Sequence, residues 1–379
     1  MNFQTKIMFV IVLLVGFLIG NSWGRCPTRE SSWCLQIDGF DTIVLDGNKF
    51  KDLEIIFDKI GFLFEDTGEN KELDQLMLIN NHAIKSLEQG AFRDFRFRRI
   101  VIQNCTHLSR FHVDAFNGTK EITKILKIDN IAVQERYQED FFEALNSLEH
   151  LEELELKNHR ITKIRPYTFR QQNLQKLILS GPLEYLDKNA FFYLDEIRIL
   201  VLTKSIRHVN SHAFDLKASN NKTLDVYLEA KVAQLEVGVF TYTNRPLNIN
   251  LFLNRLQSFH YNVFHPILMS PLKHEIIFQG DPKEMQNPCI LIWLFRSEQK
   301  PKGVVTFARI PHISETYFDQ WGCAYEQPPI ESDTGNDLPS IDQINRAGID
   351  AGHNYGHSTA VFCSRTIFIA TISMLLLYY

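Results

Sequence analysis

No stretch of this 379-residue sequence is basic enough to follow a phosphate backbone: 40 lysines and arginines face 45 aspartates and glutamates, a formal net charge of −5. Nucleic acid is thereby excluded as a partner. Catalytic signatures are also missing, with no hydrolase elbow, phosphate loop, dinucleotide fingerprint or metalloprotease helix motif in the chain. Nor is there an apolar run of the roughly 20 residues that a bilayer-spanning helix needs. The two longest such runs, Ile7 to Ile19 and Thr366 to Tyr379, sit at the ends and fall short of it. These absences lead to the expectation of a protein that is not an enzyme and takes no cofactor and no metal.

The hydrophobic share is 45%, with 29 phenylalanines, enough to bury a large core and to exclude disorder for most of the chain. That apolar content is periodic. The segment from Leu73 reads Leu73, Leu76, Leu78, Asn81, Ile84 and Leu87, then Ala91-Phe92. Further units start at Phe97, Thr123, Leu151, Leu174, Ile197, Thr223 and Pro246, with a leading copy at Phe40 and a trailing strand from Ile276 to Phe278. Starts fall 23 to 28 residues apart after a longer first unit. In each unit the alternating apolar residues predict a short strand with two side chains turned inward and their neighbours outward. Stacked units then form one parallel sheet, because no single unit can cover its own apolar side. The recurring Ala-Phe pair is expected to return the chain beneath the sheet, its phenylalanines stacking as a spine.

Eight residues after the unit start stand Asn48, Asn81 and Asn254, where an amide can bond the turning backbone of adjacent coils. Cys105, His159 and Ser205 replace it elsewhere, the first read as a buried structural thiol, and Ile131, Pro182 and Lys231 depart from the template. On these residues the chain resembles the extracellular leucine-rich-repeat family, in the subtype with Ala-Phe before each new strand, over roughly residues 37–280. Within it, the chain is similar to arthropod secreted or surface proteins, including those likened to the non-catalytic subunit of a decapod luciferin monooxygenase. The resemblance implies an α/β leucine-rich-repeat solenoid, a curved parallel β-sheet horseshoe with disulfide caps at both ends. The segment Asn287 to Leu294 resembles the C-terminal cap, with fewer cysteines than usual.

This reading divides the chain into a signal peptide (1–24), an N-terminal cap and first repeat (25–72), leucine-rich repeats (73–278), a C-terminal cap (279–326), a polar stalk (327–350) and a lipid-anchor propeptide (351–379). The leader rests on Lys6, the following apolar run and the small, polar residues up to Gly24. The tail resembles a glycosylphosphatidylinositol signal, with small residues at Asp350-Ala351-Gly352, a polar spacer and a hydrophobic end; Asp350 is the expected attachment site, with Gly352 and Asn354 as alternatives. The chain is thus expected on the extracellular face of the plasma membrane or secreted. Sequons at Asn104, Asn117 and Asn221 are candidate glycosylation sites.

Other candidate residues do not assemble into a chemical site. His208 and His212 share an i, i+4 spacing, and His353 and His357 flank Tyr355, but neither pair has a ligating context. The cluster Glu149, Glu152, Glu153 and Glu155 reads as a solvated charged face. The outward strand positions carry the candidate binding surface: Met77, Ile79, Arg99, Val101, Lys127, Glu153, Glu155, Ile178, Ile199, Val201, Tyr227 and Phe252. An apolar stripe rimmed by charge suits a protein or peptide ligand, in a membrane-tethered recognition or adhesion protein with homo- or hetero-oligomers open. The alternative is a soluble secreted subunit that supports a separate enzyme.

The cysteines yield a direct test. Peptide mapping without reduction should recover Cys26 joined to Cys34 and Cys289 joined to Cys323, each closing a cap. Recovery of Cys105 bridged to any of the four would contradict the ladder position assigned to it.

Overall fold

The computed structural model describes residues 33–67, 71–216, 221–240, 243–281, 283, 285–296, 303–308, 318–320 and 323. The leader, Cys26, Cys363, His353, His357, the stalk and Asp350 lie outside the described residues.

The repeat predicts parallel strands one coil apart, and these are present. β2 (Phe40–Asp46), β3 (Glu72–Ile79), β5 (Arg96–Gln103), β7 (Ile125–Asp129), β8 (Glu153–Lys157), β10 (Lys176–Leu186), β11 (Ile199–Val209), β12 (Leu224–Leu228), β14 (Leu247–Phe252) and β15 (Glu275–Gln279) follow one another across a single sheet. Registry carries the two inward positions of each repeat into continuous rows. One runs through Leu76, Ile100, Leu126, Leu154, Leu177, Leu200, Val226 and Ile249, all essentially without solvent exposure. Each such side chain contributes about 1.5–3 kcal/mol by leaving water, and its partners come from the coils on either side.

The phenylalanine spine is formed as expected. Phe92 stacks on Phe116 at 5.5 Å, and Phe169, Phe191, Phe214 and Phe240 follow at 5.9, 5.7 and 4.9 Å. The longer first unit is explained by α1 (Leu53–Thr67), whose Leu53, Phe57, Ile60 and Phe64 recur at helical spacing and enter the core. Shorter helices α2 (Gln138–Asn146) and α3 (Tyr261–Met269) occupy the same place in later coils.

At the N-terminal edge, β1 (Cys34–Ile37) pairs antiparallel with β2 through Asp38-Gly39, both at positive φ, and covers the open edge. Cys34 is disulfide-bonded. At the other end, the expected Cys289–Cys323 bridge is present, with an S–S distance of 2.00 Å. Trp293, in α4 (Trp293–Arg296), stacks on Phe259 at 5.3 Å and donates its indole N–H to the Phe259 carbonyl at 2.9 Å. The cap also adds a strand that no repeat spacing announced: β16 (Val304–Phe307) pairs in parallel with β15.

The polar ladder differs from expectation. Asn81 is fully buried and saturated, donating to the carbonyls of Gly47 (2.9 Å) and Phe50 (2.8 Å) and accepting from the N–H groups of Ala83 and Ile84. Asn48 is exposed yet makes the expected bond, its amide oxygen accepting from the His82 backbone N–H of the next coil at 2.6 Å, whereas Asn254 is exposed in a 3₁₀ turn. A second, unanticipated ladder runs one position earlier. Asn80, Asn104, Asn130 and Asn158 all adopt positive φ, and Asn104 donates to Asn80 and Asn130 to Asn104, each at 2.9 Å. Asparagine tolerates that conformation better than other side chains, which accounts for its recurrence there.

The departure at Pro182 also has a structural reason. β10 and β11 continue for 11 residues, past the point where other strands stop, so no side chain is needed to cap a turn there. Their second halves pair with β9 (Lys163–Ile164) and β13 (Lys231–Leu235) as a flanking ribbon, like the smaller pair β4 (Ser86–Leu87) and β6 (Arg110–Phe111). Gly181 lies over the His159 imidazole so closely that a Cβ there would overlap the ring.

His159 fills the Asn81 position without matching its bonds. Its ring nitrogens have no well-aligned hydrogen-bond partner, and burial pushes its pKa down to about 4. The unfolded chain takes up a proton there near pH 6.5, whereas the folded chain does not until about pH 4. Stability should therefore fall as pH drops through that window, by up to about 3 kcal/mol. His159→Asn should remove this slope in urea titrations between pH 7 and 4; an unchanged slope would refute the assignment.

Candidate functional site

The face of the sheet opposite the core is built from the outward strand positions, and registry aligns them in rows. The central row runs Met77, Val101, Lys127, Glu155, Ile178, Val201, Tyr227, Asn250 and Ile277. Beside it lie Arg99, Ile125, Glu153, Lys176, Ile199, Asp225, Asn248 and Glu275 on one flank. Ile79 and Phe252 belong to the other flank. All twelve outward residues singled out from the sequence thus share one face.

The apolar members of this face are partly exposed. Met77, Ile79, Val101, Ile178, Ile199, Val201, Tyr227 and Phe252 are half-buried, because strands about 4.8 Å apart let side chains of neighbouring coils shield one another. The most exposed large apolar residues lie elsewhere, including Phe62 and Ile55 on α1 and the contacting Tyr167 and Tyr193.

Electrostatics divides the face in three. Its centre is a closed ion network: Lys127 reaches Glu153 and Glu155, each at 3.3 Å, Lys176 reaches Glu153 at 3.1 Å, and Lys157 pairs with Glu155. Glu155 is only 8% exposed, so the expectation of a solvated carboxylate fails for it. Burial alone would raise its pKa, but hydrogen bonds from Lys157 and Lys127 outweigh that and hold it below the ordinary carboxylate value. Toward the N-terminus the apolar residues accompany Arg99, whose guanidinium lies 5.2 Å from the Phe40 ring centre. Toward the C-terminus Ile178, Ile199, Val201, Tyr227 and Phe252 accompany Asp225, Glu229 and Glu275.

The remaining sequence candidates are placed as follows. His208 binds Glu236 (2.7 Å) and Gln234 (3.1 Å), while His212 binds Asp215 (3.0 Å), so the pair does not converge. Among the described residues no group of three or more His, Cys, Asp or Glu side chains is placed to hold a metal ion. Cys105 is free and buried, approaches the Leu78 and Gln103 carbonyls, and has its pKa pushed up to about 11 by that burial. Of the sequons, Asn117 and Asn221 are exposed, whereas Asn104 is half-buried within the asparagine ladder.

The chain matches a family model described as BspA type leucine rich repeat region, in six copies, over residues 85–222 and 143–269. No curated protein matches the chain significantly. Together, the stacked parallel coils and this match give the chain a leucine-rich-repeat fold. The repeat type it matches is the BspA one.

The central network makes its own prediction. Lys127→Ala leaves Glu155 buried with one counter-ion and should cost about 1–3 kcal/mol in chemical denaturation. Glu155→Gln, which removes the charge and keeps the shape, should cost less. Equal losses would show that the carboxylate does not need its lysines.

Proposed function

We propose that this chain is an extracellular, membrane-tethered recognition or adhesion protein that binds a protein or peptide ligand on the outward, concave face of its sheet. The observation that carries the reading is the alignment of half-exposed apolar side chains from successive coils beside fixed charges. The apolar clusters on either side of the central ion network offer area that a partner can desolvate, with charged residues beside them to set orientation. Leucine-rich repeats as a class suit such a role, since successive coils present one continuous face.

The tether rests on the sequence of the tail. Among the described residues no helix is long and apolar enough to cross a membrane. A glycosylphosphatidylinositol anchor near Asp350, behind a polar stalk, accounts for the small residues, spacer and apolar end together. Asn117 and Asn221, both exposed, are the sequons best placed to carry glycan.

Two measurements test the proposal. In an adhesion assay with cells displaying the full chain, Val201→Lys with Tyr227→Lys should abolish binding while leaving the melting temperature nearly unchanged. Leu200→Ala with Leu202→Ala should instead destabilise the coils, by about 2–5 kcal/mol per change. Like behaviour of the two pairs would overturn the assignment of faces. Phosphatidylinositol-specific phospholipase should release the protein into the medium; its retention, or its presence in the medium without treatment, would overturn the anchor.

A further inference from the structure

The three carboxylates at the C-terminal end of this face are unlike those at its centre. Glu153 and Glu155 are each held by two lysines. Asp225 and Glu275 meet only neutral donors, Asn248 at 2.8 Å and Thr306 at 2.7 Å. Glu229 continues the outward alternation of β12 and is half-exposed. The nearby Arg255 donates to the Glu229 backbone carbonyl at 3.0 Å. None of the three carboxylates forms an ion pair with another described residue.

Their placement is specific. Asp225 and Glu229 stand two residues before and after Tyr227 on the same face, roughly 7 Å along the strand on either side. Tyr227 is in register with Val201 on one neighbour and Asn250 on the other. Ile199, Phe252 and Ile277 complete an apolar surround from three strands. An aromatic ring attracts a cation through its quadrupole, and carboxylates on both sides add Coulombic attraction. A neutral or acidic partner would instead strip water from three carboxylates and offer them no counter-charge, which is costly.

Building on the concave-face reading, we infer that this end of the face takes a basic side chain carried on an extended, otherwise apolar segment of a partner protein. Tyr227 is its platform, and Asp225 and Glu229 are its counter-ions. Ile199, Val201 and Phe252 receive the apolar neighbours of that side chain. The chemistry specifies lysine or arginine at one position and aliphatic residues around it.

The test uses the full-length protein and two fluorescent dodecapeptides, one alternating valine with lysine and one alternating valine with glutamate, followed by fluorescence anisotropy. The lysine peptide should bind, and Asp225→Asn with Glu229→Gln should weaken it about tenfold or more. Tyr227→Leu should weaken it several-fold and Tyr227→Phe should not, because the ring face is what acts. Glu139→Gln with Glu143→Gln, on α2 away from the face, should change nothing, and the melting temperature of every variant should stay near that of the parent. Absent binding, loss of less than twofold in the double isosteric variant, or equal binding of the glutamate peptide would overturn the inference. The neutral pair Ile199→Ser and Val201→Ser separates the two levels. If the glutamate peptide binds and that pair abolishes it, the concave-face reading stands and the basic-residue inference falls. If both peptides bind and neither responds to the pair, the concave-face reading itself falls.

Discussion

The structure depends on the burial of two inward side chains per strand by the coils on either side. Leu200 and Leu202 have no exposed surface, and the strands on either side of theirs, β10 and β12, place buried side chains in register with them. Every coil is therefore both core and lid for its neighbours, and the two ends need special closure. The β1–β2 hairpin provides it at one end. At the other, Trp293, β16 and the Cys289–Cys323 bridge do so.

That dependence also creates the proposed binding surface. Inward positions are committed to packing, so variation is free only at the alternate, outward positions of the same strands. Parallel registry then lines up residues from successive coils that are 23 to 28 positions apart in sequence. The result is a face with a neutralised centre, an arginine-bearing end and a carboxylate-bearing end, each set by a few side chains on a rigid sheet.

Much of this was legible in the sequence because strand alternation has period two and the repeat fixes its phase. The strand positions, the phenylalanine spine and the twelve outward residues follow from those two periods, and the C-terminal disulfide from the placement of Cys289 and Cys323. Three features did not. The ladder of Asn80, Asn104, Asn130 and Asn158 depends on a left-handed backbone turn after each strand, and the residue types hinted at it only in retrospect. Burial of Glu155 depends on Lys127 and Lys157 closing over it, one of them from another coil. β16 follows a break in the repeat, so no period points to it, although Val304-Val305-Thr306-Phe307 is a β-prone run.

The central claim is that partners meet the outward face of the sheet and not the convex return. Site-specific photo-crosslinking on living cells tests it most directly, with a benzophenone side chain placed at Ile178 on the sheet or at Val113, an exposed residue of the return segment. The account predicts a discrete adduct from position 178 and none from position 113. A discrete adduct from position 113 alone would contradict it.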